Sequence, residues 1–283
     1  MIKRNFFKKW VPPGVINSIR ILKAHLIYAD WEYMPQGWNY SSKKVKGWNL
    51  DSIADLQVKK WARYCNAIEG TSPLFVNHEA ADYSQPDLIS HNTYMCFSYA
   101  CAMAACGCYP FRLLDWGGGI GHYGKVAESV LPGTAIKYTC YDMPVFCERG
   151  QKVYPEAEFV DNIDKVLEKS YDLTLLSSSL WYDPNWRDTL NKLINVTQGY
   201  LLITRMIFIN NASSYIAIQR PYSMGYKTEY LCQIFNKKEI IDFVVQRGFT
   251  LIKEMFLSDA MPIYKAPEQG KYGGFLFKKN LVI

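Results

Sequence analysis

The densest group of chemistry-bearing residues is the run Leu113-Leu114-Asp115-Trp116-Gly117-Gly118-Gly119-Ile120-Gly121. It reads as an apolar strand ending in an acid, then a glycine-rich turn, then the start of a helix. Glycine suits such a turn because it takes positive φ and lets a ligand approach main-chain atoms closely. The helix start beyond it presents free N–H groups and partial positive charge, which favour an anionic or polar ligand. Asp142 follows Gly121 by 21 residues, at the end of the next apolar run. A carboxylate there is placed to accept hydrogen bonds from both hydroxyls of a ribose. Two frames fit the glycines. Gly119-Ile120-Gly121-His122-Tyr123-Gly124 satisfies the dinucleotide fingerprint G-x-G-x-x-G. The other, Asp115-x-Gly117-x-Gly119-x-Gly121, starts one turn earlier at the acid. The strand ends at Asp115, so Gly117 is the first turn glycine, and counted from it the third fingerprint position holds His122; this favours the second frame.

The elements that must position this loop follow from the periodicity. After residue 109, short apolar runs at 112–115, 136–141, 157–160, 173–177 and 200–204 alternate with helical stretches at 123–130, 144–151, 163–167 and 186–196. That alternation predicts an α/β fold with a parallel sheet and helices on both faces. A helix at 237–247 and strands at 250–256 and 274–277 follow, the last two forming an antiparallel unit on one sheet edge. Before residue 109 the pattern is helical and aromatic-rich. Ile16, Ile19, Leu22 and Leu26 recur at helical steps, and further helices are predicted at 51–68 and 88–108. The expected organisation is a helical N-terminal cap over 1–108 and a ligand-binding core over 109–283, with an insertion near 206–234.

Charge and cysteine usage exclude several classes. The chain has 283 residues, 49% of them hydrophobic and 20% charged, which suits a globular protein and not a disordered one. The net charge of +6 is carried by Lys3, Arg4, Lys8, Lys9, Arg20 and Lys23, so the rest of the chain is formally neutral. A neutral body argues against a nucleic-acid partner, which needs a basic face. No apolar run is long enough to span a membrane, and Pro12, Pro13, Arg20 and Lys23 interrupt any secretory signal, so a cytoplasmic location is expected. Phe6, Phe7 and Trp10 among the basic residues suit either a peripheral contact with an anionic membrane through residues 1–28 or a solvated terminus. The eight cysteines include no C-x-x-C pair and no histidine at ligand spacing, so no metal is expected; Cys101, Cys106 and Cys108 read as core-filling residues.

Taken together, LLDWGGGIGHYG (113–124), YDMP (141–144), SSSLWYDPNW (177–186), QRPYSMGYKTEY (219–230), IFNKKE (234–239) and APEQGKYGGFLFKK (266–279) resemble the class I S-adenosylmethionine (SAM) methyltransferases, as does HN at 91–92 before the core. The resemblance is to a bacterial subfamily associated with cell-surface polysaccharide synthesis and runs from about residue 75 to the C-terminus. It implies a Rossmann-like core, a seven-stranded, mostly parallel sheet with one antiparallel strand. It also implies SAM as cofactor and S-adenosylhomocysteine as product. Asp115 would lie near the ammonium group of SAM, and Gly117, Gly118, Gly119 and Gly121 along its methionine and ribose. Asp142 would take the ribose hydroxyls, Met143 the adenine face, Asp161 and Asn162 the adenine amino group, and Ser177 and Ser178 the cofactor's flank.

The acceptor is less constrained. A sulfonium methyl needs a nucleophile in line behind it, and an alcohol must lose its proton during attack, which calls for a general base. His122, Glu229 and His91 are the candidates; His25 and His78 read as surface residues. SSSLWY at 177–182 is not the Asn/Asp-Pro-Pro-aromatic turn associated with nitrogen methylation. Arg220, Tyr222, Tyr226 and Tyr230 combine a carboxylate-binding fork with flat faces suited to sugar rings, and Tyr123 and Trp181 complete the candidate acceptor set. Trp31, Trp38 and Trp48 are further candidates for the cleft. The expected function is O-methylation of a sugar or other small-molecule glycan acceptor. The alternatives are an NAD-dependent sugar-modifying enzyme and a catalytically silent partner in a glycan-assembly complex.

Overall fold

The structure is a computed structural model that describes residues 30–71, 87–224 and 226–280. In chain order its main elements are β1 (Trp31–Tyr33), α1 (Asp51–Glu69), α2 (Leu88–Ala105), β2 (Phe111–Trp116), α3 (His122–Val130), β3 (Ile136–Tyr141), α4 (Pro144–Val153), β4 (Glu158–Val160), α5 (Ile163–Leu167), β5 (Tyr171–Ser177), α6 (Trp186–Val196), β6 (Thr197–Ile209), β7 (Tyr215–Gln219), β8 (Tyr230–Asn236), α7 (Lys237–Val245), β9 (Phe249–Met261) and β10 (Gly270–Lys279).

Strands β4-β3-β2-β5-β6 pair in parallel in that order, and β10 lies antiparallel between β6 and β9. This is the expected Rossmann-like arrangement of seven strands with one antiparallel member. The sheet then continues beyond the expected set. Strand β8 pairs in parallel with the end of β6, β7 lies antiparallel to β8, and β1 antiparallel to β7.

Alternation along each strand divides the core in two. Leu113 enters the cluster on one face, with Tyr64, Phe97 and Val126 from α1, α2 and α3; Leu114 enters the other, with Leu190, Ile194 and Ile240 from α6 and α7. β5 is buried from Tyr171 to Leu176, as a central parallel strand covered on both faces must be. Fully buried side chains of this size contribute about 1.5–3 kcal/mol each. Local capping sets several helix starts. The Asp87 carboxylate accepts from the N–H groups of Ile89 and Ser90 at the head of α2, and the Asn236 side chain accepts from Lys238 N–H at the head of α7.

The described part of the N-terminal region is mainly helical, as expected, and it also adds a strand to the sheet. β1 joins the sheet, and α1 and α2 pack on the face that carries α3. Arg149 of α4 ties α1 down through Asp51 (3.0 Å) and Asp55 (3.2 Å). The expected insertion near 206–234 is largely β-structure, since β6 runs on to Ile209 and β7 and β8 follow it. Cys101 is buried as expected, but Cys106 is exposed because α2 ends at Ala105. The helix expected around 16–26, the proposed membrane contact over 1–28, His25 and His78 lie outside the described residues. Among the described residues no helix is long and apolar enough to cross a membrane, and no cluster of three metal-ligating side chains occurs.

Candidate active site

The chain runs outward in one direction through β2, β3 and β4 and in the other through β5 and β6, so the strand order reverses between β2 and β5. In open α/β sheets, ligands bind outside the carboxyl ends of the strands at such a point. A cavity of about 490 Å³ opens there, within the range of small-molecule sites.

The glycine turn forms its floor. Gly117, Gly119 and Gly121 have φ of 76°, 62° and 97°, the left-handed region that favours glycine. Gly118 needs glycine for space: a Cβ there would stand 2.4 Å from Asp115 Oδ2 and 2.7 Å from Cys140 Sγ. Gly117, Gly118 and Gly119 line the cavity. Gly121 does not; it is the N-cap of α3, against the rings of Phe159 and Tyr154.

Two carboxylates stand by this turn. Asp142 accepts from the N–H of Gly119 (2.7 Å) and of Met143 (2.7 Å), and it lines the cavity with Met143 and Asp161. Burial pushes its pKa up to about 6, against the pull of those two N–H groups. Asp115, expected beside the cofactor ammonium, is instead sealed behind Gly118. The Tyr138 hydroxyl donates to its Oδ2 at 2.7 Å, and its buried Oδ1 has no hydrogen-bond partner. Burial, opposed by the Tyr138 bond and reinforced by the charge of Asp142, pushes Asp115 up to about 7. Asn162 also leaves the expected adenine site: its side chain caps α5 by accepting from Asp164 N–H at 2.9 Å.

On the other side, Ser177 and Ser178 at the end of β5 line the cavity, as does Tyr123, whose hydroxyl lies 2.6 Å from Ser177 Oγ. His122, the first residue of α3, lines it too. Its ring is held edge-on by Tyr64 (4.6 Å between centroids) and Trp61 (5.4 Å), while the Tyr64 hydroxyl donates to the His122 carbonyl at 3.0 Å. His91 lies in the first turn of α2, outside the lining.

The expected acceptor residues divide. Tyr230 lines the cavity, stacked on Trp48 at 4.3 Å and 7°. Tyr226 is buried behind it, edge-on to Trp48 at 5.9 Å. Arg220 and Glu229 are buried outside the lining: Arg220 pairs with Glu32 (2.7 Å) and Glu229 (3.3 Å), and the Tyr222 hydroxyl donates to Glu229. Trp181 is buried against Trp31 at 5.3 Å. Arg220, Tyr222, Tyr226 and Glu229 fall in the connection between β7 and β8, where Arg220, Tyr222 and Glu229 bond to Glu32 and to one another, and Trp181 is held in the short turn after β5.

Sequence reasoning missed Gln57, Trp116, Tyr141, Tyr182 and Arg205 as lining residues. Gln57 carried a signal, because it interrupts the buried stripe Ile53, Ala54, Trp61, Tyr64 and Ile68 of α1. Its buried Oε1 has no hydrogen-bond partner and lies 3.0 Å from where a Cβ on Gly119 would be. Trp116 and Tyr141 stack at 3.9 Å beside the turn.

No family model matches the chain, and no curated protein matches it. Among solved structures it is similar to a provisionally named sarcosine dimethylglycine methyltransferase from Galdieria sulphuraria, at 14% identity over 80% of this chain and 98% of that one, with a TM-score of 0.48. It is similar to a 1,6-didemethyltoxoflavin-N1-methyltransferase from Burkholderia thailandensis, solved with 1,6-didemethyltoxoflavin and S-adenosylhomocysteine bound, at 13% identity over 88% and 100% of the two chains and a TM-score of 0.45. A third is an O-methyltransferase family protein from Burkholderia thailandensis, at 14% identity over 84% and 74% and a TM-score of 0.46. These are similarities of fold at low identity, and the chemistry of this chain rests on its own residues.

Proposed function

We propose that this protein is a SAM-dependent methyltransferase acting on a hydroxyl of a sugar or sugar-derived acceptor, of the kind used in cell-surface glycan synthesis. The observation that carries the cofactor half is the Gly117–Gly119 turn hydrogen-bonded to Asp142 at the switch point of the sheet. The residues present fit that cofactor. Each Asp142 oxygen keeps a further lone pair for a ribose hydroxyl. Met143 and Asp161 flank the same end, and the unpartnered Gln57 Oε1 beside Gly119 is an acceptor suited to an ammonium group. Bound there, SAM supplies an electrophilic methyl group.

The chain's own residues then position and deprotonate the acceptor. Trp48, Tyr182 and Tyr230 offer aromatic walls against which the C–H faces of a sugar ring can pack. Of the three sequence candidates His122 alone lines the cavity, which supports it as the residue that takes the hydroxyl proton. The dinucleotide frame is disfavoured by its own geometry. Gly121, its second glycine, would have to admit a pyrophosphate, yet it faces Phe159 and Tyr154.

Isothermal titration with S-adenosylhomocysteine, with NADH as comparator and Asp142→Ala as control, tests the reading. Binding of S-adenosylhomocysteine alone, weakened at least about a hundredfold in the variant, supports it. A folded protein that binds NADH and not S-adenosylhomocysteine is a dinucleotide enzyme, and one that binds neither is the silent module.

A further inference from the structure

We propose that the acceptor carries an anionic group, a carboxylate or a phosphate, and that Arg205 receives it. The proposal rests on the methyltransferase reading above and adds the charge of its substrate. From sequence, Arg220 was the candidate for such a role; Glu32 and Glu229 occupy it, away from the cavity.

Arg205 reaches the cavity because the sheet is broken there. Along β10, Gly274 pairs with Thr204 and Gly273 with Met206, so the register shifts by one and Arg205 is the extra residue of a bulge. Such bulges re-aim a side chain next to a site. The backbone of Arg205 is left-handed, with φ of 57°, and across from it Ser178 has φ of 56° and donates its hydroxyl to the Arg205 carbonyl at 2.6 Å. Non-glycine residues held this way are strained and persist where the surroundings impose them. The surroundings here do: a Cβ on Gly274 would stand 2.7 Å from Thr204 Oγ1 and 2.8 Å from the Ile203 carbonyl, so only glycine lets β10 close on this bend. Two strained residues meeting on one cavity wall, fixed by a glycine on the neighbouring strand, mark a built position.

The polar lining is sorted by charge. Asp142 and Asp161 follow β3 and β4, whereas Arg205 lies in β6, three strand spacings or roughly 14 Å from β3. Among the described lining residues, Arg205 is also the one Lys or Arg. A ribose held at Asp142 therefore leaves Arg205, which lines the cavity with Ser177 and Ser178, at the far end. A guanidinium fork matches carboxylate and phosphate oxygens bidentately, and a half-buried one holds them more firmly than an exposed lysine.

The full chain saturated with S-adenosylhomocysteine is titrated with inorganic phosphate and with acetate at fixed ionic strength, for wild type, Arg205→Gln and Arg205→Lys. Saturable binding of at least one anion, roughly tenfold or more weaker in Arg205→Gln and largely kept in Arg205→Lys, supports the proposal; which anion binds tells phosphate from carboxylate. Equal anion binding by wild type and Arg205→Gln, or none by either, overturns it. Loss of S-adenosylhomocysteine itself in Arg205→Gln also overturns it, by assigning Arg205 to the cofactor's carboxylate. Wild type that fails to bind S-adenosylhomocysteine at all removes the methyltransferase reading beneath it, and is recognised at the first step.

Discussion

The amide N–H of Gly119 donates to Oδ2 of Asp142 at 2.7 Å, joining the turn after β2 to the acid after β3. With Met143 N–H on Oδ1, both carboxylate oxygens are fixed before any ligand arrives. The half of the site that would hold a ribose is thus preorganised, and binding need not order it. Asp115 supports this from behind, wedged under Gly118 by the Tyr138 hydroxyl.

Gly118→Ala tests how close that packing is. Its Cβ would overlap Asp115 Oδ2, a buried atom at the end of β2, and the carboxylate cannot swing away without breaking the Tyr138 bond. The expected result is destabilisation by about 1–3 kcal/mol and loss of S-adenosylhomocysteine binding in the folded fraction. Thermal unfolding and calorimetric titration read the two effects separately, and normal binding would show that the turn has slack.

The two buried acids predict opposite pH trends for stability and for binding. Asp115 is pushed up to about 7 and Asp142 to about 6, from an ordinary value near 3.8. Between pH 4 and pH 7 the folded state therefore holds protons that the unfolded chain releases, so stability of the ligand-free protein falls as pH rises through that window, by the order of a few kcal/mol. Asp115→Asn should flatten the trend. Ionised Asp142 is the better acceptor, so affinity for S-adenosylhomocysteine should rise through about pH 6. An unfolding temperature unchanged from pH 5 to pH 7.5 in wild type would contradict the assignment.

What the sequence disclosed follows from how local each feature is. The turn, Asp142 and the central strands depend on neighbours in the chain, and the strands at 136–141 and the helices at 163–167 and 186–196 carry the same bounds in the structure. Strands β7 and β8 escaped notice because Gln219 to Tyr230 holds the residue types of a binding loop, and only pairing with β1 and β6 shows that its flanks are ladder. Arg205 had no local sign at all. Its role depends on a register shift opposite Gly273 and Gly274, some seventy residues on. Trp48 and Tyr230, likewise, meet only after the sheet has formed.

The buried pair Arg220–Glu229 is predicted to be architectural. Glu229 accepts from the Tyr222 hydroxyl and pairs with Arg220, while its N–H donates to the Lys44 carbonyl, so it holds the 37–50 segment against β8. Glu229→Ala takes one carboxylate from Arg220 and keeps its pair with Glu32, and removing one partner of a buried pair typically destabilises by about 3–5 kcal/mol. Chemical denaturation should show that loss, with affinity for S-adenosylhomocysteine little changed below the transition. A stable Glu229→Ala protein with abolished turnover would return Glu229 to the catalytic candidates.

His122 carries the chemical prediction. Its ring is clamped edge-on by Tyr64 and Trp61, which fixes its orientation toward the cavity while keeping solvent from its far side. Held this way, the imidazole is limited in reach, and an acceptor hydroxyl must come to it. His122→Asn keeps a polar group of similar size, so the clamp and the cofactor's affinity should survive. If the imidazole removes the acceptor proton, kcat/KM should fall by roughly 10²–10⁴ with binding of S-adenosylhomocysteine unchanged, and the rate of the variant should rise with pH as the hydroxyl ionises unaided. A variant that keeps wild-type turnover with the same pH profile would move the base to another lining residue, with the Tyr123–Ser177 pair at 2.6 Å next in line.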